Sequence, residues 1–371
     1  FSQEGVQEVS NGSFSQEGAE QISNGSFDTD TKWTTNTGWS ISGGSANCDG
    51  TQSGNATLVQ QNGIKGATID FVVGKTYKVN FDIVVTSGNI TQIEVASGYD
   101  GSDITTSGNH TAYITAVSTN DRFTITGNPN FIGSIDNVSV KEVGQDWVFG
   151  GSGSNKATIG DNSATITSVD GNSYLQQNSV LTSGKNYKIS YEIISSSAAT
   201  NVLKLISSFG ISEIPTSVGT HIVYGIAASS TLYIERFING VNATITNISV
   251  KEVGQDWTLG SGWSIGSGLA SKSSGTASNL FQSNVLVVGL AYKVTFTLSN
   301  YSNGNVTPYC GGTGAGTPRA SNGTFTEIII ALTSTTFFLV ANSTFTGSVT
   351  NISVIEITDD TNLPRISYEG F

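Results

Sequence analysis

The side chains that most often do chemistry in proteins are few in this sequence, and they are not grouped. The 371 residues include two histidines, His110 and His221, and two cysteines, Cys48 and Cys310. A serine nucleophile needs a histidine base and a carboxylate that orients it, and neither histidine stands in such a motif. A zinc site needs clustered cysteine and histidine, which the sequence lacks. These residues predict two free thiols and no catalytic centre.

Carboxylates and glycine-rich stretches give no stronger signal for an enzyme. Asp100 and Asp103 are the nearest thing to the paired carboxylates of a glycosidase, but they lie on a Gly-rich loop. The stretch Gly311–Gly316 has neither the lysine nor the following helix of a phosphate-binding loop. The sequence therefore predicts that the protein is not an enzyme.

Aromatic rings are the remaining candidates for a binding site. The apolar faces of such rings stack on sugar rings when polar side chains nearby hold the hydroxyls. Four rings are candidates for carbohydrate binding: Trp39, Tyr99, Trp263 and Tyr309.

The elements that must position these rings follow from a nine-residue run that occurs three times. The copies are Ile135–Val143, Ile245–Val253 and Val349–Ile357. Their shared asparagine lies at 137, 247 and 351, so the periods are 247 − 137 = 110 and 351 − 247 = 104 residues. A period of this size is that of an independent domain. The predicted divisions are an arm at 1–26, module 1 at 27–143, module 2 at 144–253, module 3 at 254–357 and a C-terminal tail at 358–371.

The sequence of each module predicts an all-β domain in which the repeated run is the closing strand. Short runs of alternating apolar and polar residues are separated by Gly, Asn, Asp and Ser, and no stretch keeps a helical period. This pattern predicts three tandem antiparallel β-sandwiches of jelly-roll type. Core positions are predicted for residues that recur in all three modules: Trp33, Trp147, Trp257, Tyr77, Tyr187 and Tyr292.

Two of the candidate rings do not recur in all three modules. Trp39 and Trp263 hold matching places in modules 1 and 3, whereas module 2 has only Gly151–Ser154 there. A ring that the shared core needs would not vanish from one copy. The absence favours Trp39 and Trp263 as surface groups, with a repacked module 2 as the alternative.

The arm consists of a shorter repeat with a period of 14 − 1 = 13 residues. Phe1 and Phe14 begin its two copies, and Val9 and Ile22 hold equivalent places. A segment this short does not fold alone. It is either a linker or an extended arm that adds a strand to a neighbouring sheet, and for the latter these four residues are the candidate assembly contacts.

Composition excludes two classes of partner. The net charge is −12 and basic clusters are lacking, which argues against nucleic-acid binding and against attraction to an anionic membrane surface. No apolar run approaches the length of a membrane span, so membrane insertion is not expected.

Several segments resemble a known family. The opening Asn24–Asp28, followed by Trp33 and Gly38–Ile41, resembles the start of jelly-roll carbohydrate-binding modules, and Ile135–Val140 resembles their closing strand. The run Val-Ser-Val-Lys-Glu-Val-Gly-Gln-Asp-Trp looks like repeated modules in bacteriophage fibre and other virion proteins, and Asn362–Tyr368 resembles a segment that follows them. The resemblance implies a virion context in which such modules often serve only as spacers.

The resemblance also implies a structural calcium ion near the opening and closing strands. Asp28 and Asp136 would be its ligands in module 1. Modules 2 and 3 carry Thr246 and Thr350 in place of the closing-strand aspartate, so calcium is expected only in module 1.

Together these observations predict a structural and adhesive component of a bacteriophage virion, located on the virion or outside the cell. Its expected partners are other virion or fibre subunits, in a homo-oligomer, and host surface glycans. One alternative is a self-assembling extracellular filament whose arm exchanges strands between subunits. A second alternative is an array of carbohydrate-binding modules in a secreted enzyme.

Overall fold

A computed structural model describes residues 1, 3–197 and 201–358 of the chain. Strands make up almost all of its regular structure, which confirms the prediction of tandem antiparallel β-sandwiches. The predicted tail lies outside the described residues apart from Thr358.

The arm and the three modules contribute strands in chain order. The arm has β1 (Glu4–Gln7) and β2 (Glu17–Glu20). Module 1 has β3 (Thr34–Thr35), β4 (Trp39–Ser42), β5 (Ser45–Asp49), β6 (Ala56–Gln61), β7 (Thr76–Ser87), β8 (Ile90–Val95), β9 (Gly98–Asp100), β10 (Gly108–Thr115), β11 (Arg122–Gly127) and β12 (Ile132–Val143). Module 2 has β13 (Val148–Ser152), β14 (Asn155–Gly160), β15 (Ser163–Ser168), β16 (Ser173–Gln177), β17 (Asn186–Ser196), β18 (Leu203–Leu205), α1 (Ile206–Phe209), β19 (Ile211–Ile214), β20 (Gly219–Ile226), β21 (Leu232–Arg236) and β22 (Val241–Val253). Module 3 has β23 (Thr258–Leu259), β24 (Trp263–Gly266), β25 (Leu269–Lys272), β26 (Ser278–Gln282), β27 (Ala291–Asn303), β28 (Val306–Cys310), β29 (Gly314–Ala315), β30 (Gly323–Ile330), β31 (Phe337–Ala341) and β32 (Thr346–Glu356).

The strands pair in the same order in all three modules. In module 1 the sheet β4-β5-β12-β7-β10 packs on the sheet β3-β6-β11-β8-β9. Module 3 has the corresponding sheets β24-β25-β32-β27-β30 and β23-β26-β31-β28-β29. Module 2 keeps the same neighbours, but β13 also pairs with β14 and so joins its two sheets into one. The closing strand is the middle strand of its sheet in every module.

The central strand of each module shows why these sequences form strands. Along β7, the residues Tyr77, Val79, Phe81 and Ile83 are buried while their neighbours are half-buried. This period of two places one face in the core between the sheets. The three tyrosines predicted to be buried are so, and each hydroxyl accepts a hydrogen bond from a backbone N–H five residues earlier, at Val72, Thr182 and Val287.

The repeated asparagine lies at a bulge in the middle of each closing strand. Asn137, Asn247 and Asn351 have φ of 52°, 51° and 51°. Asparagine tolerates this left-handed conformation better than most residues, and an extra residue there bends the strand. The pairing register with the central strand shifts at each of these positions. The bulge divides the closing strand into two halves with different neighbours.

A short turn joins one module to the next. Val143 and Val253 are buried in the core of the module that follows, and Gly144 and Gly254 turn the chain with φ of 73° and 67°. Tyr113 of module 1 packs against the core of module 2, and Tyr224 of module 2 packs against that of module 3.

Candidate functional site

The outer edge of the closing strand is the feature that two modules use in the same way. In module 1 the first half of β12, through Ile135, pairs with β5. The second half extends beyond β5, and there Lys141 and Val143 pair with β2 of the arm. In module 2 the second half of β22 pairs in the same way with β1. The arm thus adds one strand to each of two sheets of its own chain. We call residues 1–13 the first arm unit and residues 14–26 the second arm unit.

Hydrogen bonds that the second arm unit both donates and accepts hold it on module 1. Gln21 N donates to Val140 O at 2.9 Å, and Val140 N donates to Glu20 Oε1 at 2.7 Å. Further along, Val138 N donates to Gly25 O at 2.9 Å. These bonds satisfy backbone groups that would otherwise remain exposed on the sheet edge.

A buried glutamine of the opposite sheet also binds the second arm unit. Gln60 is fully buried, accepts a hydrogen bond from Ser23 N at 2.9 Å and donates one to Ser23 O at 2.8 Å. The unit therefore closes the gap between the two sheets, where Ile22 enters the core with 6% of its side chain exposed. Burial of one such side chain stabilises the fold by roughly 1.5–3 kcal/mol.

The first arm unit repeats these contacts on module 2. Glu8 N donates to Val250 O, Val250 N donates to Gln7 Oε1, and Ile248 N donates to Gly12 O, each at 2.9 Å. Val9 is buried in the core of module 2. Gln177 binds both backbone groups of Ser10, at 2.8 and 3.0 Å.

Each arm unit also places one glutamate between two lysines. Glu17 contacts Lys78 at 2.9 Å and Lys141 at 3.1 Å. The hydrogen bonds from Lys78 and then Lys141 hold the pKa of Glu17 below its ordinary value. In module 2, Lys188 and then Lys251 lower the pKa of Glu4 in the same way.

Glu8 of the first arm unit behaves in the opposite way. Burial and then the charge of Glu252 raise the pKa of Glu8. Protonation therefore favours docking at Glu8 and disfavours it at Glu4.

A tight turn ends each arm unit and places a phenylalanine on a tryptophan. Asn24 O accepts the indole N–H of Trp33 at 2.8 Å, and Phe27 then lies 4.9 Å from the Trp33 ring. The first unit repeats this arrangement with Asn11, Trp147 and Phe14, whose ring is 5.2 Å from that of Trp147. Phe1 stands in the same relation to Trp257 of module 3, at 5.3 Å.

All four residues predicted as assembly contacts pack against one of the modules, and the contacts described are within one chain. Phe14, Val9 and Ile22 are buried, and Phe1 is half-buried. Sequence reasoning missed Gln60 and Gln177, although each stands two residues after a buried leucine in its strand. In the Tyr-Lys pair that the central strands share, only the tyrosine was predicted to have a role. The lysine was not recognised as a contact of the arm.

The interpretation of Trp39 and Trp263 as surface groups is wrong. Their exposed fractions are 6% and 2%, and they pack on Phe131 and Phe345. Strand pairing shows that Ala157 of module 2 holds the place of both tryptophans. Ile159 and Ile41 each pair with an alanine of the next strand, and Ala157 and Trp39 stand two residues before them.

The reason for the missing tryptophan in module 2 is a paired change in the core. Val241 stands six residues before Asn247, at the place that Phe131 and Phe345 hold before Asn137 and Asn351. Val241 and Ala157 are both buried. Module 2 has therefore replaced two large contacting rings by two small side chains, which is the repacking named as the alternative.

The two tyrosine candidates differ in accessibility. Tyr99 is 69% exposed and lies at a groove of about 750 Å³ between modules 1 and 2, which Tyr113, Lys75, Lys156 and Thr158 also line. Tyr309 is half-buried in β28. Of the four candidate rings, Tyr99 is the most exposed to solvent.

The calcium ligands expected from the resemblance each have a local hydrogen bond. The Asp28 carboxylate accepts one from the Ser26 hydroxyl at 2.7 Å, and Asp136 accepts one from Asn137 N at 2.6 Å. Within residues 1, 3–197 and 201–358, no three acidic, histidine or cysteine side chains are grouped as a metal site would require. Calcium in module 1 stays a prediction.

The cysteines are both buried and unpaired, as expected for free thiols. Burial, together with the charge of Glu327, raises the pKa of Cys310 to about 11. A thiol with so high a pKa is a poor nucleophile at neutral pH.

The fold defines the chain as a tandem array of jelly-roll β-sandwiches. Among solved structures, it is similar to the tandem CBM22-1-CBM22-2 domains of Paenibacillus barcinonensis Xyn10C, with 9% identity, a TM-score of 0.28, and coverage of 64% of this chain and 98% of that one. It is also similar to a triple jelly-roll protein of an archaeal virus turret, with 14% identity, a TM-score of 0.21, and coverage of 88% and 89%. A structure from Sulfolobus Turreted Icosahedral Virus gives 15% identity, a TM-score of 0.23, and coverage of 87% and 89%.

Likenesses at these TM-scores identify no function. No protein-family model and no curated protein sequence matches the chain. In the part of the chain that the structure describes, no helix is long and apolar enough to cross a membrane.

Proposed function

We propose that the chain is a structural component of a virion or a similar extracellular assembly, in which the three sandwiches act as a stiff spacer. The observation that carries this proposal is the arm, which ties the modules together. Its two units pair with modules 1 and 2, and Phe1 packs on module 3. Strands that link successive domains limit their relative motion, which suits a mechanical part better than a catalyst that opens and closes.

Two further features support a structural role. The module joints are short and buried, with Val143 and Val253 each inserted into the next core. The virion setting is supported by the resemblance of the closing runs, and of the segment Asn362–Tyr368, to bacteriophage virion proteins.

The experiment that tests the virion role is cryo-electron microscopy of native particles from the source of the protein. Density for three tandem sandwiches at fixed symmetry positions on a capsid or tail is the expected result. Particles that lack the chain, with the protein recovered only in free form, would refute the proposal. Continuous polymers without particles would favour the filament instead.

Host-glycan binding is a second candidate function, and the groove beside Tyr99 favours it. An exposed ring at the edge of a groove that also holds polar side chains is the usual arrangement for stacking on a sugar. Binding on a glycan array that Tyr99→Ala removes, and that Tyr309→Ala retains, would support this function. An array without any binding would exclude the tested glycans as ligands.

A further inference from the structure

The second half of the closing strand of module 3 has an open outer edge. Gly347, Ser348 and Val349 of β32 pair with β25, but beyond the bulge at Asn351 the strand pairs only with β27 among the described residues. The corresponding halves of β12 and β22 carry the two arm units. The open edge also changes burial: Ile352 and Val354 are half-buried, whereas their four counterparts in modules 1 and 2 are at most 5% exposed.

Module 3 nevertheless keeps most of the side chains that bind an arm unit in the other modules. Gln282 stands two residues after the buried Leu280, as Gln60 and Gln177 stand after Leu58 and Leu175. Across residues 1, 3–197 and 201–358, neither the amide of Gln282 nor the ammonium of Lys293 has a hydrogen-bonding or ionic partner. The counterparts of both groups contact the arm in modules 1 and 2.

The hydroxyl of the closing strand is kept as well, and one lysine is lost. Ser353 aligns with Ser139 and Ser249, whose hydroxyls donate to Glu20 and Gln7 of the arm. Ile355 replaces the second lysine, Lys141 in module 1 and Lys251 in module 2, and is 54% exposed.

The position of Phe1 shows the direction in which a segment bound at the open edge of β32 would run. Phe14 directly follows the unit that pairs with module 2 and contacts Trp147, the tryptophan of that module. Phe27 follows the unit on module 1 and contacts Trp33. Phe1 contacts Trp257 of module 3 in the same way. A segment that leads into Phe1 would therefore run along the open edge.

We propose that the outer edge of β32 is the binding site for a further arm unit, an extended segment that leads directly into Phe1. A carboxylate of this segment faces Lys293, and a glutamine or glutamate side chain accepts from Val354 N and the Ser353 hydroxyl. A glycine lies against the backbone at Ile352, and Gln282 binds the backbone of the residue two positions before it. This inference does not depend on the virion role.

The test is an extended chain in which a copy of residues 14–26 is placed directly before Phe1. Hydrogen exchange of the Ile352 and Val354 amides is measured in the extended and the original chain. Docking should slow both amides by about tenfold or more, because each becomes a hydrogen-bond donor in a paired edge. Exchange at these amides that is unchanged by the extension would overturn the proposal.

Variants in the acceptor edge separate docking from a general stabilisation. Val354→Pro removes a donor that faces outward, as the Val140 and Val250 amides do, so the ladder to β27 keeps its bonds. It should abolish the protection that the extension gives. If this variant does not fold, Lys293→Glu in the extended chain should lower the protection, and changing the facing glutamate of the extension to lysine should restore it.

A second copy of the chain is the competing occupant. Sedimentation of the original chain would reveal it as a dimer that Val354→Pro dissociates. Such a dimer, together with an extension that stays undocked, would assign the edge to another subunit and overturn the proposal. A scrambled extension of the same composition is the control, and it should leave exchange at Ile352 and Val354 unchanged.

Discussion

Single atoms decide which residues an arm unit can contain. A Cβ atom built on Gly25 would lie 1.9 Å from Val138 O, and one built on Gly12 would lie 1.9 Å from Ile248 O. The backbone at Val138 or Ile248 cannot move away without disrupting the closing strand in which it lies. At Gly18 the nearest atom is the end of the flexible Gln145 side chain, at 2.9 Å. The glycine in the Asn-Gly-Ser ending of each unit is thus a requirement of docking.

Gly25→Ala should release the second arm unit from module 1. The expected result is an increase of about tenfold or more in the exchange rate of the Gln21 amide, since its bond to Val140 O is lost. Gly18→Ala is the matched control within the same unit and should leave the rate nearly unchanged. Equal protection in both variants would show that the close contact at Gly25 does not limit docking.

Trp39→Ala should lower the free energy of unfolding of module 1 by about 3–5 kcal/mol, because a buried ring is removed from its contact with Phe131. Thermal or denaturant unfolding measures this loss. Tyr99→Ala, at an exposed ring, should change stability by less than about 0.5 kcal/mol. Equal losses from the two substitutions would contradict the assignment of Trp39 to the core.

Residue burial could be predicted from the sequence at most positions where all three modules agree, as at Tyr77, Tyr187 and Tyr292, but Trp257 is only half-buried. At Trp39 and Trp263, where module 2 differs, the sequence left a surface role and a structural role open. Residue type at one position does not show whether its contact partner has changed too, and Trp39 with Phe131 became Ala157 with Val241 by a change of both. The exposure of Tyr99 likewise depends on how modules 1 and 2 meet, which no local pattern encodes.

At the scale of elements, the arm strands are held by charge as well as by backbone pairing. Glu17 has a lowered pKa, so its ionised form contributes stability above its ordinary value of 4.5, and this contribution is lost as the pH falls through the lowered pKa. Glu4 acts in the same direction on module 2, but Glu8 has a raised pKa and opposes it there. Acid release should therefore be clearer for the second arm unit.

Acidification from about pH 6 to about pH 3 should lower the exchange protection factor of the Gln21 amide. In Glu17→Gln the protection should already be lower at pH 6 and should depend less on pH, because the titrating group is gone. Lys75→Ala, which removes an ion pair on module 1 outside the arm, is the control. A pH dependence that survives Glu17→Gln would assign the effect to another carboxylate.

The strands themselves followed from alternation and turn residues, but the partners of β1 and β2 did not. Period-two patterns mark a strand and its buried face, and they contain no information on which edge in the molecule is open. The repeat in residues 1–26 suggested pairing with some sheet. That this sheet belongs to the same chain depends on the closing strands being longer than β5 and β15, which appears only in the fold.

At the scale of the whole molecule, the two arm units can be removed separately. Deletion of residues 1–13 should lower the stability of module 2 and expose Trp147, because Val9 and its backbone pairing are lost. Module 1 should keep its stability, since residues 14–26 remain. Calorimetry that resolves the modules, with Trp147→Phe to identify the fluorescence change, measures this effect. An equal loss in modules 1 and 2 would show that the arm acts through the joints and not through each edge.

The order of the arm units on the modules has a consequence for folding during synthesis. Glu20 binds a strand residue made 120 positions later, whereas Gln7 binds one made 241 positions later. Of the two arm units, the one that leaves the ribosome earlier is therefore the one that waits longer for its partner. Contacts of such high sequence separation form slowly. During that interval the first arm unit is free to pair with a matching edge on a neighbouring nascent chain, so crowded translation of this protein favours exchange of arms between copies.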